Sequence, residues 1–449
     1  MSITISNPTS PEGWVPSGND IIYKVLSTEA ARPNFAYLID VYVNSNRVIQ
    51  LRQIPINPTE RINVNIANIV RNYISATMPA SWSQSTVPDV AEAYIVVTEY
   101  YNGQPYATTT SVPVRVWDAA AQFQDVKKGV DKYIRNFTPY TAGSVHTDGR
   151  YLAYHDACSI SPFERRHESE LRAVVSINPF TTPMYQINWN VPQNISFFVK
   201  DGWGVTNPFV GWIVLAGFNS KGVMIKKFCV GIINDTTMGK TIYSPSVRLW
   251  SGMGGNFTYK YGLPNVQLDD FSDCTYAMLY TTTGQPTTSV TLGDTLSLRP
   301  VCFEINRCKE SYSVLYKSYE GGWGQMLMNK KTESNVTTET TTKDNINPTT
   351  WDTTSRLIDT VNVKAQGKWT LNTGWIDGEK FKDVEDLIMS PEIYIVHQPD
   401  SSVNDTTKIE YIPVQIENND YVVRETKNVN LRNYELKFTE SFYRNTVRE

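Results

Sequence analysis

Short runs rich in Val, Ile, Tyr, Phe and Thr recur along the whole chain, and most of them end at turn-forming residues such as Gly, Pro or Asn. Runs of this kind, separated by turn residues, are typical of sheets built from short strands. The clearest turn is Asn102-Gly103 after residues 93–101, because this dipeptide tolerates the positive φ angles of a type I′ hairpin. A second hairpin is predicted to join residues 212–218 to residues 223–233. The sequence therefore predicts a mainly β, multi-domain and β-sandwich-like protein with a few short helices.

Three segments have the apolar spacing of an amphipathic helix. The first has its apolar stripe at Ile66, Ile69, Val70, Tyr73 and Ile74 and stops before Pro79, which cannot continue a helix. The second spans residues 123–134, although a glycine weakens it. The third is the clearest, since Asp377 can cap its start and Pro391 closes its end. Helices are thus expected to be few and short.

The length of 449 residues predicts more than one domain, at roughly 100 to 200 residues per domain. We divide the chain into an N-terminal β-rich domain at 1–120, a central β domain at 121–300 and a C-terminal α+β domain at 301–449. No fixed-period repeat of the kind that marks propellers or solenoids is visible.

The C-terminal domain carries a polar, Thr-rich arm at residues 332–354 with too few apolar residues to form a core of its own. It can be a solvated loop. Because Thr favours strands, it can also become an extended strand at a subunit contact. The second interpretation makes the following arm residues candidate interface residues: Thr337, Thr338, Asn345 and Trp351.

Charge and hydropathy exclude some classes of function. The chain has 41 Lys+Arg against 45 Asp+Glu and no basic block, so non-specific nucleic-acid binding through many phosphates is not expected. Residues 1–10 have no secretory pattern, and the longest apolar run, residues 209–218, is about half of the roughly 20 residues that a membrane helix needs. We expect that run to be a buried strand and expect no membrane contact.

The five cysteines fit no zinc-site spacing and no dense disulfide framework. Unpaired thiols in a reducing compartment are expected. The alternative is a disulfide between Cys302 and Cys308, the only two that are close in sequence.

Catalytic and cofactor motifs are incomplete. Gly239-Lys240-Thr241 imitates the end of a phosphate-binding loop, but Asn234 occupies the first glycine position. His167-Glu168 begins a zinc-hydrolase pattern that has Leu171 where the second histidine should stand, and no GxSxG nucleophile elbow is present. The sequence predicts no enzyme activity, no cofactor and no metal site.

Two alternative functions leave no linear motif. The acidic cluster Asp269, Asp270 and Asp273 could supply the two carboxylates of a polysaccharide or peptidoglycan hydrolase, although a turn before a strand is the simpler interpretation. Exposed tryptophans could stack on sugars in a receptor- or glycan-binding module, and the candidates are Trp203, Trp323 and Trp375. The glycine-flanked Trp203 and Trp323 can equally fill a core or anchor a subunit interface.

Several motifs near the two ends resemble one protein family. They are the segments 19–23 (NDIIY), 35–43 (FAYLIDVYV), 69–73 (IVRNY), 319–324 (YEGGWG) and 429–438 (VNLRNYELKF), together with the helix before Ser390-Pro391. In these segments the chain resembles virion proteins of tailed phages of Bacteroidales, including the crAss-like phages.

This resemblance covers about half of the chain and excludes the central segment 121–300. It implies a structural subunit of the virion tail, in a ring or barrel that surrounds the DNA channel. It also implies a homo-oligomeric ring of six or twelve copies, neighbouring tail, portal or ring proteins as partners, non-specific proximity to genomic DNA, and assembly in the host cytoplasm. No catalytic residue is implied.

Overall fold

The structure is a computed structural model. It describes residues 2–8, 14–74, 90–120, 151–154, 185–188, 193–194, 197–200, 209–235, 242–243, 246–247, 273–282, 301–306, 312–318, 323–328, 330, 332–344, 358–377, 381–397, 410–417, 422–426 and 431–447. Strands dominate these residues and only two helices occur among them, which confirms the mainly β fold class.

The N-terminal region forms two facing sheets. Its elements are β1 (Ile3–Ser6), β2 (Trp14–Pro16), β3 (Ile22–Ser27), β4 (Ala36–Val43), β5 (Asn46–Gln53), β6 (Ile62–Asn65), α1 (Ala67–Arg71), β7 (Val90–Tyr101), β8 (Gln104–Thr110) and β9 (Val114–Trp117). One sheet has the order β1-β3-β6, and the other has the order β2-β9-β7-β4-β5 with β8 attached to β7.

Alternating apolar residues build the core between these two sheets. In β4, Ile39 and Val41 are fully buried beside Val97 and Ile95 of β7, while the residues between them are half-buried. The opposite sheet contributes Tyr23, whose hydroxyl donates to the carbonyl of Ala93 at 3.2 Å. Burial on one face of each sheet is the arrangement of a β-sandwich.

Helix α1 confirms the first predicted helix, although it is a short one of five residues. Val70 of α1 is buried in the same core. The first hairpin is also confirmed, since Asn102 and Gly103 join β7 to β8 with φ angles of 51° and 77°. Two consecutive positive φ angles are those of a type I′ turn.

The central region contributes ten strands among the described residues. They are β10 (Tyr151–Tyr154), β11 (Tyr185–Asn188), β12 (Gln193–Asn194), β13 (Phe197–Lys200), β14 (Phe209–Phe218), β15 (Met224–Asp235), β16 (Ile242–Tyr243), β17 (Ser246–Val247), β18 (Tyr276–Thr282) and β19 (Val301–Asn306). They form the sheets β11-β19-β18-β14-β15, β10-β13-β16 and β12-β17.

The second predicted hairpin is confirmed by β14 and β15, which pair antiparallel. In its turn the Asn219 side-chain oxygen accepts from the backbone N–H of Lys221 and of Val223, at 2.9 and 3.0 Å. Gly222 has a φ of 76°, a conformation that favours glycine. The predicted helix at 123–134 lies outside the described residues.

The C-terminal region forms one nine-stranded sheet with a helix. Its elements are β20 (Tyr312–Lys317), β21 (Trp323–Met328), β22 (Glu333–Asp344), β23 (Ile358–Asp377), α2 (Phe381–Met389), β24 (Ile393–His397), β25 (Glu410–Ile416), β26 (Val422–Thr426), β27 (Leu431–Glu440) and β28 (Arg444–Val447). The sheet order is β21-β20-β24-β25-β27-β23-β22, with β26 paired to β27 and β28 paired to β23.

Helix α2 confirms the third predicted helix, and its Leu387 packs into the core with sheet residues such as Val314 and Phe438. The predicted cap Asp377 is wrong. It is the last residue of β23 and pairs with Leu431, because the ladder between β23 and β27 continues up to it. The helix also turns a carboxylate inward, since the buried Asp386 accepts from the hydroxyl of Ser318.

One ion pair joins the N-terminal and C-terminal regions. The Lys317 ammonium lies 2.5 Å from a carboxylate oxygen of Asp118. The domain limits at 120 and 300 stay predictions, and β19, just after the second limit, pairs with the central sheet. Neither of the helices in the described ranges is long and apolar enough to cross a membrane.

Candidate interaction surface

Strand β22 is the described part of the Thr-rich arm, and it ends the nine-stranded sheet. One side of it pairs with β23 over its whole length, and no described strand pairs with its other side. Every residue of this 12-residue strand is exposed. The opposite end of the same sheet differs, because β21 has β11 and β12 beside it. An open edge presents a row of backbone N–H and C=O groups to which another strand can bind.

Local chemistry explains why the arm is a strand rather than a loop. Thr residues favour the extended backbone, and the register places Thr338 opposite Ala365 and Thr340 opposite Val363. It also places Glu339 opposite Lys364, a cross-strand pair of opposite charges. A β-bulge at Thr341 and Thr342 interrupts the ladder only near its end. For residues 333–344, the loop interpretation is therefore wrong: the arm is a strand paired with β23 of its own chain, and its contact with another subunit stays a prediction.

The base of this two-stranded ribbon is fixed to the rest of the sheet through β23. The backbone N–H of Gly367 donates to a carboxylate oxygen of the buried Glu440 at 2.8 Å. A Cβ at Gly367 would lie 2.8 Å from the Glu440 carboxyl carbon, so only glycine fits here without a shift. Beside it, Lys368 forms an ion pair with Glu417. The hydrogen bond that the Lys368 ammonium donates within this pair is the main cause that lowers the pKa of the Glu417 carboxyl. Residues 362–365 of β23 also pair with β28, so the ribbon is held along its β23 side, while no described strand pairs with the outer edge of β22.

The ribbon exposes more apolar surface than its polar sequence suggests. Val336 of β22 is 66% exposed, and Ile358 and Val361 of β23 are exposed as well. Of these three residues, only Val336 belongs to the edge strand β22, and Ile358 and Val361 belong to its inner neighbour β23.

A second open edge lies on the N-terminal sandwich and was missed at the level of sequence. Strand β5 ends its sheet, and no described strand pairs with its outer side. Ile49 in this strand is exposed, and Ile54 and Ile56, which follow it, are 65% and 104% exposed. The sequence around these residues does not distinguish them from core residues. Whether a strand lies at an edge depends on the order of strands in the sheet, which distant segments determine.

The structure describes only some of the predicted interface residues. Thr337 and Thr338 lie exposed in the middle of β22. Asn345, Trp351 and Trp203 lie outside the described residues. The two threonines are therefore the predicted interface residues that an open edge presents.

Trp323 is buried, which corrects its assignment as an interface residue. Only 1% of it is exposed, and it packs with Leu315 and Val396 on the sheet face opposite α2's core cluster. The next residue, Gly324, has the ring of Tyr316 where a Cβ would stand, 2.5 Å from a ring carbon. Gly324 thus allows close packing beside Trp323, and Trp323 is a core residue.

The alternative functions keep a few candidate residues. Trp375 is 48% exposed beside a β-bulge in β23, so its ring is available for stacking. Asp273 lies exposed in a turn before β18, whereas Asp269 and Asp270 lie outside the described residues. No group of three or more metal-ligating side chains occurs in the part of the chain that the structure describes. Among the cysteines, Cys274 is buried and forms no disulfide, and Cys308 lies outside that part.

Comparison with known proteins gives no family. No protein-family model matches the chain, and no curated protein does. Among solved structures, a mutant of Salmonella alpha-2-macroglobulin is similar at 9% identity and a TM-score of 0.21, over 96% of this chain and 28% of that one. A marsupial T cell receptor is similar at 6% identity and a TM-score of 0.17, over 100% of this chain and 99% of that one. Both TM-scores are too low to carry an argument about function.

Proposed function

We propose that this protein is a structural subunit of a phage virion tail that assembles in multiple copies into a ring or barrel around the DNA channel. The observation that carries the proposal is the open edge of β22, a fully exposed strand of 12 residues. The resemblance of the terminal segments to virion proteins of Bacteroidales phages supplies the tail context. Assembly in the host cytoplasm and neighbouring portal, ring or tail proteins belong to the same proposal.

A long strand with no buried face gains little from the hydrophobic effect within one chain. Pairing with a further strand would satisfy its remaining backbone groups and bury Val336. Natural proteins usually protect such edges with prolines, several lysines or bulges. Strand β22 has no proline, one bulge near its end and four charged residues, of which only Glu339 lies in its middle. These features favour pairing of the β22 edge with a further strand.

The first test is the mass of the native protein by light scattering, with negative-stain images of the same sample. We expect a closed ring of six or twelve copies. A protein lacking residues 332–354 should keep its sandwich and central sheet but stay monomeric. A deleted variant that assembles like the wild type would contradict the role of the arm, and a compact trimer of the wild type would favour a receptor-binding protein.

A pair of proline variants gives a sharper control. In an antiparallel strand, successive N–H groups point to opposite sides, so one of Thr337 and Thr338 directs its N–H to β23 and the other to the open edge. Proline at the position whose N–H faces β23 should destabilise the ribbon. Proline at the other position should leave the ribbon intact and impair assembly, as hydrogen exchange and light scattering would show together. Equal assembly by both variants would exclude strand pairing at this edge.

A second candidate function is glycan binding at Trp375, which is favoured by its exposed indole. A flat aromatic face can bury the apolar side of a sugar ring. Binding on a glycan array should disappear in Trp375→Ala and persist in the control Tyr443→Ala, which changes another exposed aromatic residue. Unchanged binding by both variants would remove Trp375 as a sugar site.

A further inference from the structure

The exposed aliphatic side chains of the described residues concentrate at two places. Three of them, Ile49, Ile54 and Ile56, lie in or just after β5, and three others, Val336, Ile358 and Val361, lie on the ribbon of β22 and β23. In the described part of the chain, the remaining exposed isoleucine and valine residues are Val112 and Val223. Strands β5 and β22 have no described strand on their outer sides, and they belong to different sheets of the chain.

The charges of the two edge strands are opposite. Strand β5 contains Arg47 and Arg52 and no acidic residue. Arg47 is paired with Asp40 at 2.7 Å, and the Arg52 guanidinium lies 5.6 Å from the ring centre of Tyr100, so one of the two positive charges has no carboxylate partner in these contacts. Strand β22 contains three acidic residues, Glu333, Glu339 and Asp344, against the single Lys343.

We infer that β22 of one copy pairs along β5 of a neighbouring copy, so that the ribbon extends the sandwich sheet of the next subunit. This inference rests on the proposed function and names the partner surface of the arm. The 12 residues of β22 are long enough to cover the eight of β5. Pairing supplies backbone hydrogen bonds, brings Val336 of β22 towards the exposed Ile49 of β5 and sets the acidic strand against the basic one.

A second copy is the occupant because the two edges are different surfaces of one chain. A contact between two different surfaces is heterologous, and a repeated heterologous contact gives a ring when the rotation between copies closes and a helical filament when it does not. Pairing of β22 with another β22 would instead give a two-fold dimer and would leave the edge of β5 open.

The test uses the full-length protein and charge reversal at both edges. Arg52→Glu should raise the concentration needed for half-assembly by about tenfold or more, and Glu339→Lys should do the same. The protein that carries both substitutions should assemble better than either single variant, because the charges are again opposite. An independent variant, Ile54→Asp with Ile56→Asp, should also prevent assembly, whereas the matched control Val112→Asp should not. Hydrogen exchange of each unassembled variant establishes that the sandwich is folded.

The outcomes separate the inference from the proposed function. A wild-type protein that forms no oligomer under any condition would overturn both. A wild type that forms rings while Arg52→Glu and the Ile54/Ile56 variant also form them would overturn the inference and leave the ring proposal standing. A two-fold dimer that only Glu339→Lys disrupts would assign the β22 edge to self-pairing and likewise overturn the pairing with β5.

Discussion

Strands β4 and β22 show two ways in which this chain makes a strand. β4 lies between β5 and β7, and its alternating residues Ile39 and Val41 are completely buried. β22 lies at the end of its sheet, with one neighbour and no buried residue. The first strand is held by packing, and the second by backbone hydrogen bonds and cross-strand pairs. An exposed edge strand such as β22 is expected where a strand of another molecule pairs with it.

The largest difference between the two strands should appear on truncation of an aliphatic residue. Ile39→Ala removes a fully buried side chain and leaves a cavity, so we expect a loss of about 2 to 5 kcal/mol in the free energy of unfolding. Val336→Ala in β22 should change it by less than about 0.5 kcal/mol. Guanidinium unfolding followed by circular dichroism would measure both. Similar losses in the two variants would show that β22 is packed in the isolated chain.

The sandwich should also depend on a buried polar contact that has no counterpart in β22. The hydroxyl of Ser27 donates to the carboxylate of Glu99 at 2.5 Å, and both residues are buried. Ser27→Ala leaves that carboxylate without this donor and should cost about 1 to 3 kcal/mol. Thr98→Ala, which removes an exposed hydroxyl that contacts Thr108, is the control and should have little effect. Equal stability of the two variants in the same unfolding assay would contradict this role of Ser27.

The base of the ribbon should behave like a core, unlike its outer strand. Gly367→Ala places a Cβ against the Glu440 carboxylate, so we expect a loss of about 1 to 3 kcal/mol from overpacking. Hydrogen exchange should then become faster in β23 and β27. Thr338→Ala in the exposed strand is the comparison and should leave exchange at the base unchanged. An unaltered exchange rate in Gly367→Ala would mean that the base adjusts without strain.

The smallest expected effect is the pH dependence of stability that comes from the Lys368–Glu417 ion pair at the base of the ribbon. The pKa of Glu417 is lowered in the folded protein, mainly by its hydrogen bond to Lys368, so its stabilisation is present above the unfolded pKa of about 4.3. It is lost as the pH falls through the lower folded pKa. Because the pair is partly solvent-screened, the contribution is at most about 1 kcal/mol. Glu417→Gln should reduce the fall in melting temperature between pH 6 and pH 3, and an identical pH profile would exclude the ion pair as its cause.

Local sequence predicted much of the secondary structure. Asn102-Gly103 specifies a hairpin because its backbone preferences suit one turn type, and the apolar stripe of α2 specifies a helix. The sequence of the Thr-rich arm was compatible with a loop or a strand. Its threonines favour an extended backbone, but it lacks the alternating apolar residues that would indicate a strand with one buried face. Its pairing with β23 decided between them.

The sequence by itself determined the β-rich class, the two hairpin turns and the helices α1 and α2, since these follow from residues close together along the chain. Only the tertiary structure decided that Trp323 is buried, that β23 extends to Asp377, and that β5 and β22 are sheet edges. The physical reason is that a strand's neighbours are chosen by packing between distant segments. The same exposed or apolar residues can therefore lie at an edge or in a core, depending on which strands meet them.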